Sequence, residues 1–514
     1  MQKIKLFFTA FVLIYLLLQI SASHAVEFKN DKLQIEFNPQ SATVLNWKVL
    51  NPTMSLPHDL VKNNNSSFRL NGIIDEYDLD YWVEKAGGWS FDQSSKQIIF
   101  ELKSENLPFE LKKIWKFYQD SYELDLSYEL ISKKNLKNIN LFLSLGPGIG
   151  EEPIKGLGIS EKSYSFTELI YKTNNIKTKR LNSKEEVFSL SQDLSPQWIG
   201  LHSRYFLFLF RFDESFSDIK LKIDNSRNKK NISLDSSLNF NLPISEAQKG
   251  EKYITSLKLF TGTKTKSDLI AAGLEEILFQ SSWDWMRYII LGITSVLYWI
   301  NSFVFNWGIS IILLSILVRI VIHPIAKKSL KSQMEFAKLQ EIIQPQIKEI
   351  KKKFKGGEQS ERILNIYEKY NTSPLASLKP LIGLAIQIPI FIALFHLLGQ
   401  TFELKEASFL WIESLAEPDK FLSLGIEIPF FGNYFNLLPF LMSITNLLSI
   451  KLNSISSGET KKDVRQNVIL GVMTLGFFLL FYSFPSGMVL YWTMANVLHL
   501  SYSLFTSKTF KIIK

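Results

Sequence analysis

Residues Asn306–Ala326 of this 514-residue chain read NWGISIILLSILVRIVIHPIA and indicate its structural class. This stretch is mainly apolar over the length that an α-helix needs to cross the hydrocarbon core of a bilayer. Four more apolar stretches follow it along the chain. The sequence therefore predicts a bundle of five membrane-spanning helices, at about 305–326, 380–400, 433–450, 467–484 and 487–505.

Charges between these stretches indicate the orientation of the bundle. Residues 327–379 hold twelve Lys or Arg and six acidic residues, whereas residues 401–434 hold two lysines and six acidic residues. Basic loops next to membrane spans stay in the cytoplasm. Residues 327–379 and the basic tail 506–514 are therefore predicted to be cytoplasmic, and residues 401–434 to lie outside. This orientation explains the net charge of +9 without a specific nucleic-acid partner.

Residues 271–304 precede the bundle and include an apolar stretch that also carries Asp284, Arg287 and several tryptophans. Such a mixture favours an amphipathic helix that lies in the membrane interface. A further span here would place the domain before it on the same side as the basic tail, against the orientation that the loops indicate.

The chain begins with a segment typical of export. Lys3 and Lys5 precede the apolar run Leu6–Ile20, and small residues follow up to Ala25. This is the pattern of a secretory signal, and the run is a little short for a span. Residues 1–25 are predicted to be either a cleaved signal or a retained transmembrane anchor. In both cases the residues after them leave the cytoplasm.

Residues 26–270 have the pattern of a β domain. Apolar and polar residues alternate in Ser121–Leu130, as in a strand with one buried face. Tyr205–Phe212 is almost continuously apolar, which predicts a strand buried on both faces. Many short runs separated by Asn, Ser and Gly favour a sandwich of antiparallel sheets. The predicted fold class is therefore α+β, an all-β domain followed by a helical membrane bundle.

The sequence gives no support for catalytic or metal chemistry. Its lack of cysteine excludes disulfides, thiolate catalysis and cysteine-ligated metal sites. His58 and His202 are isolated in the sequence, which indicates surface or structural roles. No nucleotide-binding P-loop motif occurs. We therefore expect a protein that is not an enzyme, with no catalytic residues, no cofactor and no metal.

Arg319 is the most informative single residue. Within Ile311–Ile322 the only other polar residue is Ser315, one helical turn away on the same side. An arginine at the middle of a span costs about 2.5–3.5 kcal/mol on insertion scales. Either the side chain reaches the cytoplasmic headgroups, or it faces a hydrated pocket inside the bundle. The other spans contain no Asp or Glu to pair with it, which favours the hydrated pocket.

Polar residues in the other spans are predicted mostly to form hydrogen bonds between helices. They lack the arrangement of acid and base that a proton relay needs, so they give no support to a transporter. These residues include Gln387, His396, Thr445, Thr493 and Asn496.

The loop 327–379 is itself predicted to be a helical hairpin. Apolar residues recur every three or four positions from Leu339 to Phe354, Gly356 and Gly357 interrupt the pattern, and it resumes over 363–370. Two interpretations stay open, a solvated pair of helices made basic by the orientation alone, or a pair that also docks a partner.

Several motifs of the carboxyl-terminal half resemble those of the YidC family of membrane protein insertases. They lie within about residues 282–505 and are Asn306-Trp307-Gly308, Val318-Arg319, Gln344-Pro345, Gln387-Ile388-Pro389 and Phe484-Pro485-Ser486-Gly487. Residues 26–270 resemble, by position and β content, the large periplasmic supersandwich domain of Gram-negative members. The sequence departs from the family at two places. Ser373 stands where Asn is common, and about three extra residues, around Lys379–Leu384, lengthen the spacing between Pro374-Leu375 and the motif that begins at Gln387.

The resemblance implies an insertase that integrates newly made proteins into the bacterial inner membrane without nucleotide hydrolysis. Its spans would enclose a hydrated client-binding groove, open to the cytoplasm and lined by Arg319, Ser315, Trp492 and Gln387. The implied partners are nascent membrane proteins, membrane lipid and the Sec translocon, with a ribosome or targeting receptor at the hairpin. The alternatives are a transporter or channel, and a periplasmic carbohydrate-active enzyme on a membrane anchor.

Overall fold

A computed structural model describes the chain over residues 25–51, 57–61, 67–145, 168–180, 187–189, 196–212, 220–223, 236–370, 372, 382–429, 431–456 and 464–512. These residues form two compact units, one up to Gln280 and one from Ser281 onward. The border comes later than the predicted domain end at 270, because Leu274, Ile277 and Phe279 are buried with the first unit. The predicted export segment lies outside the described residues except for Ala25, as do Ser373 and Lys379.

The first unit consists mainly of antiparallel strands. They are β1 Val26–Lys29, β2 Leu33–Asn38, β3 Thr43–Val49, β4 His58–Val61, β5 Arg69–Ile74, β6 Tyr77–Asp78, β7 Ser90–Gln93, β8 Gln97–Leu102, β9 Phe109–Phe117, β10 Glu123–Ser132, β11 Asn140–Leu145, β12 Glu168–Lys172, β13 Ile176–Arg180, β14 Val187–Ser189, β15 Trp198–His202, β16 Phe206–Phe212, β17 Lys220–Ile223, β18 Ser236–Asn241 and β19 Lys252–Thr263. Two short helices accompany them, α1 Leu79–Ala86 and α2 Lys266–Ala271.

The strands form three sheets. A nine-stranded sheet has the order β13-β12-β15-β16-β19-β10-β9-β8-β7, a six-stranded sheet the order β14-β17-β18-β11-β5-β6, and a four-stranded sheet the order β1-β2-β3-β4. Strand β10 has the predicted alternation, with every second residue from Leu124 to Ser132 buried.

The core shows how the sheets pack. Tyr205–Phe210 are all buried near the middle of the nine-stranded sheet, which confirms the prediction for this part of the strand. The ring of Phe208 lies 5.2 Å from Trp47 of β3, and the ring of Phe210 lies 5.2 Å from Phe240 of β18. Alternate residues of a strand share a face. The two smaller sheets therefore cover the same face of the large sheet, and the unit is an antiparallel sandwich.

A buried lysine ties two turns to the large sheet. Lys113 of β9 is 1% exposed, and its Nζ donates to the carbonyl oxygens of Ala42 at 2.7 Å and Phe68 at 2.5 Å. Both acceptor residues have left-handed backbone, with φ of 52° and 57°. The Lys113 Nζ also lies 5.4 Å from the ring centroid of Trp115. Burial lowers the pKa of Lys113 to about 7.

The second unit is mainly helical. Its helices are α3 Asp284–Val304, α4 Trp307–Lys353, α5 Gly357–Lys369, α6 Ile382–Gln400, α7 Leu438–Ser456, α8 Val464–Tyr482 and α9 Ser486–Ile512. Helix α9 packs against α7, α4 and α6, and α3 packs against α4 and α6. By length and composition, α3 and the part Trp307–Ile325 of α4 are able to cross a membrane, and α6, α7 and α8 contain shorter apolar helical segments. The interfacial position of α3 therefore stays a prediction.

Three helix boundaries differ from the predicted spans. Helix α4 continues past residue 326 without a break and forms the first arm of the hairpin. Helix α7 begins at Leu438 and not near 433, because Gly432–Phe435 is a strand, β21, that pairs with β20, Leu422–Ile428. Helix α9 continues past 505 as far as Ile512. Backbone hydrogen bonding extends α4 and α9 beyond their apolar parts, which were the basis of the predicted limits.

The two arms of the hairpin, α4 and α5, pack through a small apolar core. Ile343, Ile347 and Tyr367 are its buried members. Half-buried apolar side chains of both helices surround them, namely Leu339, Ile363, Ile366 and Tyr370. These are positions of the apolar pattern in the sequence. The hairpin therefore has a core of its own.

Residues 401–437, here called the α6–α7 segment, are held by a buried carboxylate. Asp419 is 3% exposed. Its Oδ2 accepts hydrogen bonds from the backbone N–H of Leu437 at 2.7 Å and of Leu438 at 3.1 Å, and from Trp411 Nε1 at 3.1 Å. A carboxylate in this place satisfies N–H groups at the start of α7 and complements the helix dipole. Asp419 therefore joins the middle of the segment to the helix that follows it.

The same segment is bonded to the start of α9. The backbone N–H of Ser486 donates to the Glu417 carbonyl at 2.7 Å, and that of Gly487 to the Leu415 carbonyl at 2.8 Å. A Cβ atom at Gly487 would lie 3.0 Å from the same carbonyl of Leu415. The glycine of the Pro485-Ser486-Gly487 motif thus permits this close approach.

Gly308 has a similar role, and we expect its replacement by alanine to destabilise the helical unit. An added Cβ would lie 2.2 Å from the ring of Phe409, so α4 and the α6–α7 segment would have to separate. Overpacking of this kind costs about 1–3 kcal/mol. Thermal denaturation in detergent measures the effect. The matched control is Gly476→Ala in α8, where an added Cβ meets no atom within 4 Å. Equal melting temperatures for the two variants would contradict this account.

Candidate functional site

The charged residue predicted inside the bundle contacts a neighbouring helix. Arg319 of α4 is half-buried, and its Nη2 lies 2.9 Å from His499 Nδ1 of α9. Arginine can only donate, so His499 Nδ1 accepts and the imidazole carries its proton on Nε2. Among the residues that the structure describes, Arg319 has no carboxylate within ion-pair distance. The guanidinium therefore keeps its charge next to a neutral partner.

His499 was not among the residues predicted for the site. It lies seven residues after Trp492, two turns along the same helix and close to the same face. That spacing from a predicted site residue was the signal that pointed to it. His499 is a partner other than the Asp or Glu whose absence from the other spans was noted in the sequence, and its neutral ring does not neutralise the charge of Arg319.

Ser315 lies one helical turn before Arg319 on α4. It is 1% exposed, and its Oγ donates to the carbonyl of Ile312 in its own helix at 2.6 Å. Its hydroxyl hydrogen is therefore used within α4. Ser315 supplies a small side chain to the packed wall of the bundle near Arg319.

Trp492 belongs to an aromatic cluster formed by three helices. Its ring centroid lies 5.5 Å from Phe391 of α6 and 5.5 Å from Phe481 of α8. Gln387 is half-buried one turn before Phe391 on α6. The predicted site residues thus occupy two places, the Arg319–His499 pair and the aromatic cluster, and helix α9 contributes to both.

Three of the side chains predicted to form hydrogen bonds between helices instead bond within their own helix. Thr493 donates to the Val489 carbonyl, Thr445 to the Leu441 carbonyl and His396 pairs with Gln400, each within its own helix. Asn496 of α9 does bond across to the Met442 carbonyl of α7, at 3.4 Å. Threonine in a helix can reach the carbonyl of the preceding turn, and this local bond satisfied the side chains first.

A second polar cluster lies in the β unit and gives His202, which stands alone in the sequence, two charged neighbours in the fold. Its Nε2 is 3.4 Å from Glu168 Oε2, and its Nδ1 is 3.3 Å from Lys264 Nζ. Burial and the Lys264 charge lower the pKa of His202 to about 4, and burial lowers that of Lys264 to about 8. His202 is 1% and Glu168 7% exposed, so the pair is closed to a substrate and joins β12, β15 and the end of β19.

Comparison with known proteins identifies the helical unit. Residues 299–512 match the model of the family described as 60Kd inner membrane protein. A membrane protein insertase YidC of Syntrophobacter fumaroxidans is 34% identical over 248 residues, which cover 48% of this chain and 42% of the relative. A membrane protein insertase YidC of Methylobacillus flagellatus is 27% identical over 405 residues, covering 76% and 65%. The matches thus span about two fifths to two thirds of the length of these relatives.

Two solved structures are among those similar to this chain. A crystal structure of an active YidC insertase aligns over 93% of this chain and 92% of its own, with 14% identity and a TM-score of 0.36. A galactose mutarotase related enzyme from Lactobacillus acidophilus aligns over 46% of this chain and 97% of its own, with 8% identity and a TM-score of 0.32. Residues 299–512 thus match the 60Kd inner membrane protein family, and the chain is similar to curated YidC membrane protein insertases.

Proposed function

We propose that this protein is a non-catalytic insertase that integrates newly made proteins into the bacterial inner membrane. The observation that carries the proposal is the half-buried Arg319, whose contact on the neighbouring helix is the neutral His499. A charge in an apolar bundle is costly unless water or an opposite charge solvates it. A hydrated groove that receives polar and acidic client segments provides both. The match of residues 299–512 to the 60Kd inner membrane protein family supports the same function.

The proposed mechanism uses charge attraction and lipid burial. A short polar segment of the client enters from the cytoplasm and is attracted by Arg319. The groove shortens its path through hydrocarbon, while the adjoining apolar segment moves into lipid along α6 and α8. Burial of that segment supplies about 25 cal/mol per Å² of apolar surface, so nucleotide hydrolysis is not needed. The Trp492 cluster and Gln387 line the path of the client. Ser315 contributes a small side chain to the packed wall of the groove near Arg319.

Closure on the opposite side is assigned to the α6–α7 segment. Its bonds to the start of α7 and α9 through Asp419, Glu417 and Leu415 support this role. With the basic loops in the cytoplasm, the segment faces the periplasm together with the β unit, for which we propose a supersandwich fold. The basic hairpin of α4 and α5 is then free to meet a ribosome or targeting receptor, and the bundle to work beside the Sec translocon.

Reconstitution into liposomes with a short single-span client tests the proposal. We expect the wild-type protein to protect the translocated end of the client from protease without nucleotide. Arg319→Ala should lower protection about tenfold, the effect of losing a charged hydrogen-bonding group. Arg319→Lys should retain most of it. The control is Arg362→Ala on exposed α5, whose arginine pairs with Glu358. Absence of protection with folded wild-type protein would refute the insertase function for that client.

His499 gives the same experiment a second arm. His499→Leu removes the acceptor that positions the Arg319 guanidinium and should lower insertion, whereas His499→Gln supplies another acceptor and should restore it. If both variants insert as the wild type does, His499 has no positioning role, and the assignment of Arg319 stands on its own variants.

A further inference from the structure

The α6–α7 segment contains an exposed apolar hairpin that the proposed function does not use. Strands β20 and β21 pair with each other as an isolated two-stranded sheet. Along Leu422–Ile428 the residue type alternates, with leucine or isoleucine at even positions and Ser423, Gly425 and Glu427 between them. Within residues 421–435 the only formally charged residue is Glu427. An isolated hairpin of this composition is at best marginally stable in water.

The apolar side chains of the hairpin are strongly exposed. Ile426 is 65% exposed, Leu422 57% and Phe421 48%. Soluble surfaces rarely carry such a continuous apolar patch unless another phase or molecule covers it. Whatever covers this surface is therefore apolar, and it tolerates a strand that has one polar face.

The position of the hairpin identifies that occupant. The ring of Phe431, beside the hairpin turn, lies 4.7 Å from Tyr482 and 6.4 Å from Phe478 of α8. Tyr482 is the last residue of α8, and Phe478 lies about 6 Å further into the helix. The hairpin thus overlaps the last turn of an apolar helix of the membrane bundle. The exposed surface of that helix is apolar as well, with Leu475 57% and Leu479 48% exposed.

We propose that the β20–β21 hairpin inserts into the interface of the adjacent membrane leaflet, with lipid as its occupant. The lipid-facing surface of α8 continues onto the hairpin through Phe431 and Phe478, so one lipid phase covers both. Aromatic residues favour this depth. The hairpin then anchors the α6–α7 segment to the bilayer, in addition to the bonds of Asp419.

Site-specific fluorescence tests this inference, because the chain has no native cysteine and a single introduced thiol can be labelled cleanly. Ile426→Cys, labelled with an environment-sensitive dye, is reconstituted in full-length protein into phosphatidylethanolamine–phosphatidylglycerol vesicles, with and without lipids brominated on the acyl chain. The matched control is Glu413→Cys, an exposed position of the same segment.

We expect emission from position 426 to shift to the blue, to be quenched several-fold more by brominated lipid than that from position 413, and to resist aqueous iodide. Equal iodide quenching at both positions would place the hairpin in water and overturn the proposal. A blue shift without lipid quenching would assign the surface to a protein, either a partner or a second copy, and would also overturn it. Neither result depends on insertion of a client, so failure here leaves the insertase function untouched.

Discussion

Replacing Asp419 with alanine is expected to loosen the α6–α7 segment and lower the melting temperature of the helical unit markedly. The change removes a buried acceptor of three hydrogen bonds and leaves the N–H groups of Leu437, Leu438 and Trp411 without it. Hydrogen bonds to a charged group contribute about 1.5–3 kcal/mol each and are not additive, so about 3 kcal/mol is a reasonable total. Thermal denaturation in detergent, with limited proteolysis of residues 401–437, measures both effects.

Glu413→Ala is the control for Asp419, since it removes an exposed carboxylate from the same segment. The melting temperature of Asp419→Asn should fall between those of Asp419→Ala and Glu413→Ala. An amide oxygen can still accept hydrogen bonds, but it carries no charge to complement the dipole at the start of α7. If Asp419→Ala and Glu413→Ala melt and digest alike, the segment is held by other contacts, such as those of Ser486 and Gly487.

Replacing Lys113 with alanine is expected to destabilise the β unit by about 3 kcal/mol, through a cavity and two carbonyl oxygens left without a donor. The wild type should also respond to pH. Lys113 has a pKa of about 7 in the folded chain, against an ordinary value of 10.5. Between these values the unfolded state binds more protons, so the stability contributed by this site rises from pH 7 towards pH 10.5 and falls as the pH drops.

Pulse proteolysis of the full-length protein across a urea gradient measures the stability of the β unit at each pH. The matched control is Lys116→Ala, an exposed lysine of the same strand. Lys113→Met should reduce the rise between pH 7 and pH 10.5 while retaining most of the volume, and the part that remains above pH 8 is expected from Lys264, whose pKa is lowered to about 8. An unchanged pH profile in Lys113→Met would show that another group causes the dependence.

Local patterns in the sequence predicted the elements of the β unit but not its buried charges. The alternation in Ser121–Leu130 reflects one strand and its two faces, a property of neighbouring residues. Lys113 occupies an inward position of β9 because turns at Ala42 and Phe68 bring carbonyl oxygens to it, 71 and 45 residues away. Contacts between residues so far apart in the sequence leave no periodic pattern from which they could be predicted. The pairing of His202 with Glu168 and Lys264 was missed for the same reason.

In the helical unit, too, local patterns predicted the helices and their apolar faces, but not the contacts between residues distant in the sequence. The hairpin core of Ile343, Ile347 and Tyr367 follows from spacing within two adjacent helices. A single arginine in an apolar run was enough to mark Arg319. Its partner His499 stands 180 residues later and could not be deduced from the run. The β20–β21 hairpin was overlooked because residues 401–434 were judged by their charge and not by their alternation.

Helix α4 is long enough to connect the region of Arg319 directly with the far tip of the hairpin. Its 47 residues extend about 70 Å, more than twice the hydrocarbon thickness of a bilayer. Pro324 lies five residues from Arg319. The helix lacks one backbone hydrogen bond there and bends more easily at that point. From there to Lys353 is about 43 Å, so a tilt of about 10° at Pro324 corresponds to about 7 Å at the far tip. A displacement of the tip would therefore be accompanied by a smaller displacement of the helix around Arg319.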